Sequence, residues 1–179
     1  RSLSLDLFPY SLNLLSALAG ALTLANVFLM VRHWTGTPLP GLIAAAALAV
    51  SHTFWRHAYI AESYTLWTSL FTAELLLFSL YLQKDKRGLL FGAALCGGLA
   101  FSVHVLSSLS LFVYFCILCV HCISRRLRWR DFIKATGFWL LGALPILYLV
   151  SRQMLASGDM QGTLHSLCFG RQWQSSVLN

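Results

Sequence analysis

Six long apolar runs, broken only by short polar or basic stretches, leave this chain few ways to fold. They occupy residues 12–31, 39–54, 60–82, 89–103, 105–123 and 132–150. A helix needs about 20 apolar residues to cross the hydrocarbon core of a bilayer, and several of these runs suffice alone. The run over 39–54 is short and continues into a polar stretch. Residues 88–123 are too many for one crossing at about 1.5 Å per residue, which predicts a hairpin turning near 102–108, where His104 and three serines interrupt the apolar pattern. Composition agrees: 58% of residues are hydrophobic and 11% are charged, against about 25% charged in soluble domains. The expectation is an all-α, polytopic transmembrane helical bundle with about six crossings. It forms a single domain over residues 1–179, of which 151–179 make a polar, non-cytoplasmic segment. A start at Arg1 reads as a piece of a longer chain.

The net charge of +7 raises the question of nucleic acid, and its distribution answers no. Arg125, Arg126, Arg128, Arg130 and Lys134 form one run, and Lys84, Lys86 and Arg87 another, each between apolar segments. Basic loops of this kind mark the cytoplasmic side of a membrane protein, and no nucleic-acid-reading module accompanies them. Six crossings put Arg32 and both runs on one side, so that nine of the thirteen Lys and Arg residues share it. The stretch His52–Tyr64, His104 with its serines, and the tail after Ser151 then gather on the other face.

That face carries the chemistry. Residues 52–64 hold two His, an Arg, a Glu, a Trp and two Tyr, and ionisable groups in so apolar a chain are used or paired. Arg56, His57 and Glu62 have the groups to bind phosphate, orient a sugar or move protons. Trp55, Tyr59 and Tyr64 serve as interfacial anchors or as stacking surfaces. His104 reads as a turn cap that shares the same face. Three histidines, His52, His57 and His104, do not have a zinc-ligand spacing, so no metal is expected. Cys116, Cys119 and Cys122 spell C-x-x-C-x-x-C, but on a helix they fan over a wide arc without a fourth ligand, which makes them packing residues. Two polar stripes, Asn13–Ser16–Gly20–Thr23 and Glu62–Thr65–Ser69–Thr72, fall on single helix faces, and with Gly88/Gly92 they read as helix-packing surfaces. Glu74, near mid-membrane, is either hydrogen-bonded within the bundle or the functional group of a small transporter.

Several of these stretches together resemble a known family. They are Asn13-Leu-Leu-Ser-Ala17, Thr53-Phe-Trp, Ile60-Ala-Glu-Ser-Tyr-Thr-Leu66, Gly98-Leu-Ala-Phe-Ser-Val-His104, and Gly158-Asp159 through Gly162-Thr-Leu164 to Gly170-Arg-Gln-Trp173. In this order they resemble the transmembrane O-mannosyltransferase-like family, GT-C-type membrane proteins with a eukaryotic member in the endoplasmic reticulum. The resemblance implies a GT-C-like fold and a glycosyltransferase that moves mannose from a polyprenyl-phosphate donor to an acceptor hydroxyl on the non-cytoplasmic face. It implies no cofactor beyond that donor substrate. The implied partners are membrane lipid, the lipid-linked donor and a protein or glycan acceptor, in a bacterial inner membrane or the endoplasmic reticulum. The family's acidic general base is expected upstream of Arg1, with the Gly-Glu and His-Pro-Pro-Gly-Tyr-Pro motifs that are absent here. Matched by position, Glu62, Tyr64, His104, Asp159 and Arg171 are assigned to donor and acceptor binding, and so are Arg56 and His57, which replace other polar residues. The alternative is a non-catalytic membrane subunit of the same ancestry, retained for assembly of a larger complex.

Overall fold

The computed structural model describes residues 3–60 and 63–169, and every element among them is an α-helix. Helices α1 (Leu3–Thr35), α2 (Pro38–Ala49), α3 (His52–Tyr59), α4 (Ser63–Lys84), α5 (Arg87–Val103), α6 (Ser107–Ile123), α7 (Trp129–Ser157) and α8 (Met160–Phe169) follow in chain order. Three stretches, Tyr10–Thr35 of α1, α4 and α7, are long and apolar enough to cross a membrane. The chain is a membrane protein.

The hairpin expected within 88–123 is present: α5 stops at Val103 and α6 begins at Ser107. Each of the two helices has 17 residues, or about 26 Å at 1.5 Å per residue, just under the thickness of a hydrocarbon core. The run over 39–54 departs further from expectation. It breaks between α2 and α3, which together are apolar enough for one span but meet at a 72° bend. The physical reason lies in α3, whose His52, Arg56 and His57 are costly in hydrocarbon, so an amphipathic segment does better along the interface. The first part of the tail is helical. Its first residues extend α7 to Ser157, and after the left-handed Gly158 (φ 66°) the chain re-enters a helix as α8.

Contacts between helices fix their directions. Gly20 sits beside Thr65, Asn26 Nδ2 donates to the Ser69 carbonyl (3.1 Å), and Trp34 Nε1 donates to Ser79 Oγ (2.6 Å), so α1 and α4 run in parallel. Trp67 meets Ser107 and Glu74 meets Ser110, so α6 runs the same way. Glu74 against Gly97 and Leu77 against Gly92 make α5 antiparallel to α4. At the far end Arg87 reaches both the Arg126 carbonyl (3.3 Å) and Asp131 (3.6 Å). The result is a bundle with the basic turns gathered at one end and the α3–α4 and α5–α6 junctions at the other.

The polar stripes pack in part as expected for helix interfaces: Ser16, Gly20 and Thr23 on α1 are buried, and so are Thr65, Ser69 and Thr72 on α4, whereas Asn13 at the start of the first stripe is exposed. The Gly88/Gly92 pair does not mark the closest approach, because a Cβ on Gly88 would meet nothing within 4 Å. That role belongs to Gly98 and Gly142, where a Cβ on either would run into the other helix's backbone. Tight contact of this kind is what small residues permit between helices that lipid does not drive together.

Candidate functional site

The α3–α4 junction meets the α5–α6 turn in a small group of rings. Tyr64, one residue into α4, stands between two imidazoles, with centroids 5.7 Å from His57 and 5.3 Å from His104. Trp67, one turn further along α4, is 5.5 Å from His104 and stacks on Phe71 at 5.5 Å. Local bonds hold each piece. Thr65 Oγ1, itself buried, donates to the His57 carbonyl (2.7 Å) and ties α3 to α4. Trp67 Nε1 donates to Ser107 Oγ (2.7 Å), with Ser107 only 1% exposed, and this pins the start of α6 against α4.

His104 combines the cap role read from sequence with a place in the group. Its Nδ1 accepts the Leu106 N–H at 3.2 Å, closing the turn. An imidazole that accepts at Nδ1 carries its proton on Nε2, so the second ring nitrogen is a donor. Tyr64 is about half exposed, and Arg56 is exposed on the last turn of α3. Imidazole N–H, phenol, guanidinium and an indole face therefore border one accessible end of the bundle, a set suited to phosphate oxygens and to the face of a sugar ring.

Not every expected residue joins this group. Asp159 is exposed, and its Oδ1 accepts the Gly162 N–H at 2.8 Å, the geometry of a helix cap for α8. Glu62 and Arg171 lie outside the described residues. Among the described residues no three His, Cys, Asp or Glu are placed to hold a metal ion. Trp67 and Ser107 are the additions of the tertiary structure. Trp67 was legible as the i+3 neighbour of Tyr64 on one helix face, whereas Ser107 looked like one of several turn serines.

Deeper in the bundle, Glu74 is 2% exposed and its carboxylate lies 3.3 Å from the Ser110 hydroxyl. It borders a cavity of about 60 Å³ between α4, α5, α6 and α7, with Tyr114 and Trp139 also on the wall. Glu74 is thus hydrogen-bonded within the bundle, one of the two readings its sequence position left open.

Comparison with known families adds the decisive observation: residues 4–127 match the model of the protein O-mannosyl-transferase TMEM260 N-terminal domain. The chain belongs to this family. No curated protein and no solved structure matches it. The match runs from α1 through α6 and includes His57, Tyr64, Trp67, His104 and Ser107. Asp159 and Arg171 fall beyond it. Membership in a protein O-mannosyl-transferase family implies a glycosyltransferase, and it agrees with the resemblance read from the ordered motifs.

Proposed function

We propose that the protein transfers mannose from a polyprenyl-phosphate donor to an acceptor hydroxyl on the non-cytoplasmic face of its membrane. The reading includes six crossings and a GT-C-like arrangement, with residues 1–179 forming part of a larger helical module. The observation that carries it is the convergence of His57, Tyr64, Trp67 and His104, in a chain of this family, at the bundle end away from the basic turns. By the positive-inside bias those basic turns are cytoplasmic, which makes the ring cluster luminal or external.

In the transfer, the acceptor oxygen bonds to the anomeric carbon as the bond from that carbon to the phosphate oxygen breaks. The hydroxyl proton goes to a base, and the polyprenyl phosphate leaves with the negative charge. Donors aimed at the departing phosphate stabilise that charge as it develops. His104 through Nε2–H and Arg56 through its guanidinium supply such donors, while Tyr64 and Trp67 offer surfaces for the sugar. Proton abstraction is assigned to none of them. Glu62, Asp159 and Arg171 are retained as binding residues on the resemblance alone.

The test uses the full-length protein in proteoliposomes with polyprenyl-phosphate mannose and a Ser/Thr-containing acceptor. Wild type is expected to transfer mannose. A hydrogen bond to a charged group contributes about 1.5–3 kcal/mol, so His104→Ala should lower kcat/KM by roughly tenfold to a hundredfold. Full activity in His104→Ala would remove that residue from the site. No transfer from any polyprenyl-linked sugar would leave the non-catalytic subunit as the better reading.

A further inference from the structure

At the opposite end of the bundle, about 20 residues and so about 30 Å along α4 from the ring cluster, the ends of α1 and α4 enclose a groove of about 440 Å³. This is within the range of about 300–1,000 Å³ typical of small-ligand sites. Its lining divides by depth. Leu29, Leu76 and Leu80 form the apolar part, and Arg32, His33 and Lys84 form the basic part. The division follows from helix periodicity: Leu29 precedes Arg32 by three residues, and Leu80 precedes Lys84 by four, so each cation sits one turn beyond an apolar neighbour on its own face. Gly36 completes the lining, and a Cβ there would meet nothing within 4 Å. Trp34, 59% exposed, donates to Ser79 Oγ beside the groove and holds the two helix ends together. An exposed Trp at a helix end marks the depth of the membrane interface.

Cations at helix C-termini are favoured by the macrodipole, and this accounts for their presence on each helix separately. It does not account for their convergence without a counter-ion. Of the other cations of this end, Arg87 pairs with Asp85 (3.2 Å) and Asp131 (3.6 Å), and Arg128 pairs with Asp131 (3.2 Å). Both nearby carboxylates are thereby engaged. Among the described residues neither Arg32 nor Lys84 has an ion pair, and His33 Nε2 is buried without a hydrogen-bond partner. Two helices thus bring positive charge to one groove whose wall turns apolar toward the bilayer.

We infer that this groove binds the phosphate headgroup of an anionic phospholipid, with the glycerol and upper acyl chain against Leu29, Leu76 and Leu80. A basic pocket between transmembrane helices on the cytoplasmic side is suited to such a headgroup. The site is independent of the donor site proposed above, and its test does not read transfer.

The experiment measures binding of short-chain phosphatidylglycerol to the full-length protein in a non-ionic detergent, by native mass spectrometry. Phosphatidylcholine of the same chain length and inorganic phosphate are run in parallel. Wild type should bind phosphatidylglycerol in preference to phosphatidylcholine. Arg32→Gln/Lys84→Gln should weaken that binding by about thirtyfold, given what each basic residue contributes near an anionic surface. A second charge-matched pair, Arg126→Gln/Arg130→Gln, should bind as wild type does. Equal loss in both pairs would mean only bulk electrostatics and would overturn the site. So would equal binding of phosphatidylcholine, or inorganic phosphate that binds alone as well as the lipid does, since the occupant would then be a soluble anion. Arg32 and Lys84 are exposed, and an unchanged gel-filtration profile of the variants verifies that the fold is intact.

Discussion

Gly97 and Gly98 are neighbours with different reasons to lack a side chain. A Cβ on Gly98 would strike the Trp139 carbonyl of α7, part of a backbone that cannot move aside cheaply. A Cβ on Gly97 would meet the end of the Glu74 side chain, which has rotamers to spare. Overpacking a tight contact costs about 1–3 kcal/mol, so Gly98→Ala should destabilise the protein by that much and Gly97→Ala by less. Thermal denaturation in detergent ranks the two, and the reverse order would show that the carboxylate of Glu74 is the more rigid obstacle. The same scale explains the two faces of His104. Its place in a turn was readable from the serines around it, but its approach to Tyr64 and Trp67 depends on how two distant helices meet.

Individual helices owe their ends to local chemistry and their partners to a few polar links. Asp131, in the first turn of α7, is 3% exposed and is held by Arg128, the residue just before that helix, and by Arg87 from the start of α5. A carboxylate there also suits the positive end of the helix dipole. The bonds join the α4–α5 turn to the α6–α7 turn, and Arg87 adds the Tyr81 hydroxyl (2.9 Å) and the Arg126 carbonyl. Losing a charged hydrogen-bond partner at a buried position costs about 1.5–3 kcal/mol, so Asp131→Ala should lower stability by that amount. Arg87→Ala/Asp131→Ala should then lose less than the sum of the two single variants, and strict additivity in that cycle would show that the pair does not couple. In α7, Pro145 leaves the Leu141 carbonyl without its helical donor, and one residue further on Ser102 Oγ donates to the Gly142 carbonyl at 3.0 Å. That link ties the upper part of α5 to the same turn of α7.

For the whole molecule, the alternating helix directions place Gly36, Lys86 and Arg125 at one end and Arg56, Leu106 and Asp159 at the other. With six crossings, single cysteines introduced at the first three positions, in a protein lacking its native cysteines, should label from the cytoplasmic side. Cysteines at the second three should label only from the opposite side. Labelling of Arg56→Cys from the same side as Gly36→Cys would make the bent α2–α3 pair re-entrant instead of spanning. Apolar runs, basic turns and the α5–α6 hairpin were legible because length and charge are local properties of a membrane segment. The ordered motifs likewise pointed to the family before the match over residues 4–127. The break at Ser51, the Gly98–Gly142 contact, the partnership of Trp67 with Ser107 and the basic groove between α1 and α4 were decided only by tertiary structure. The reason is physical: the sequence determines which faces are apolar or small. Which face meets which depends on packing among helices that lipid solvates almost equally well on every side.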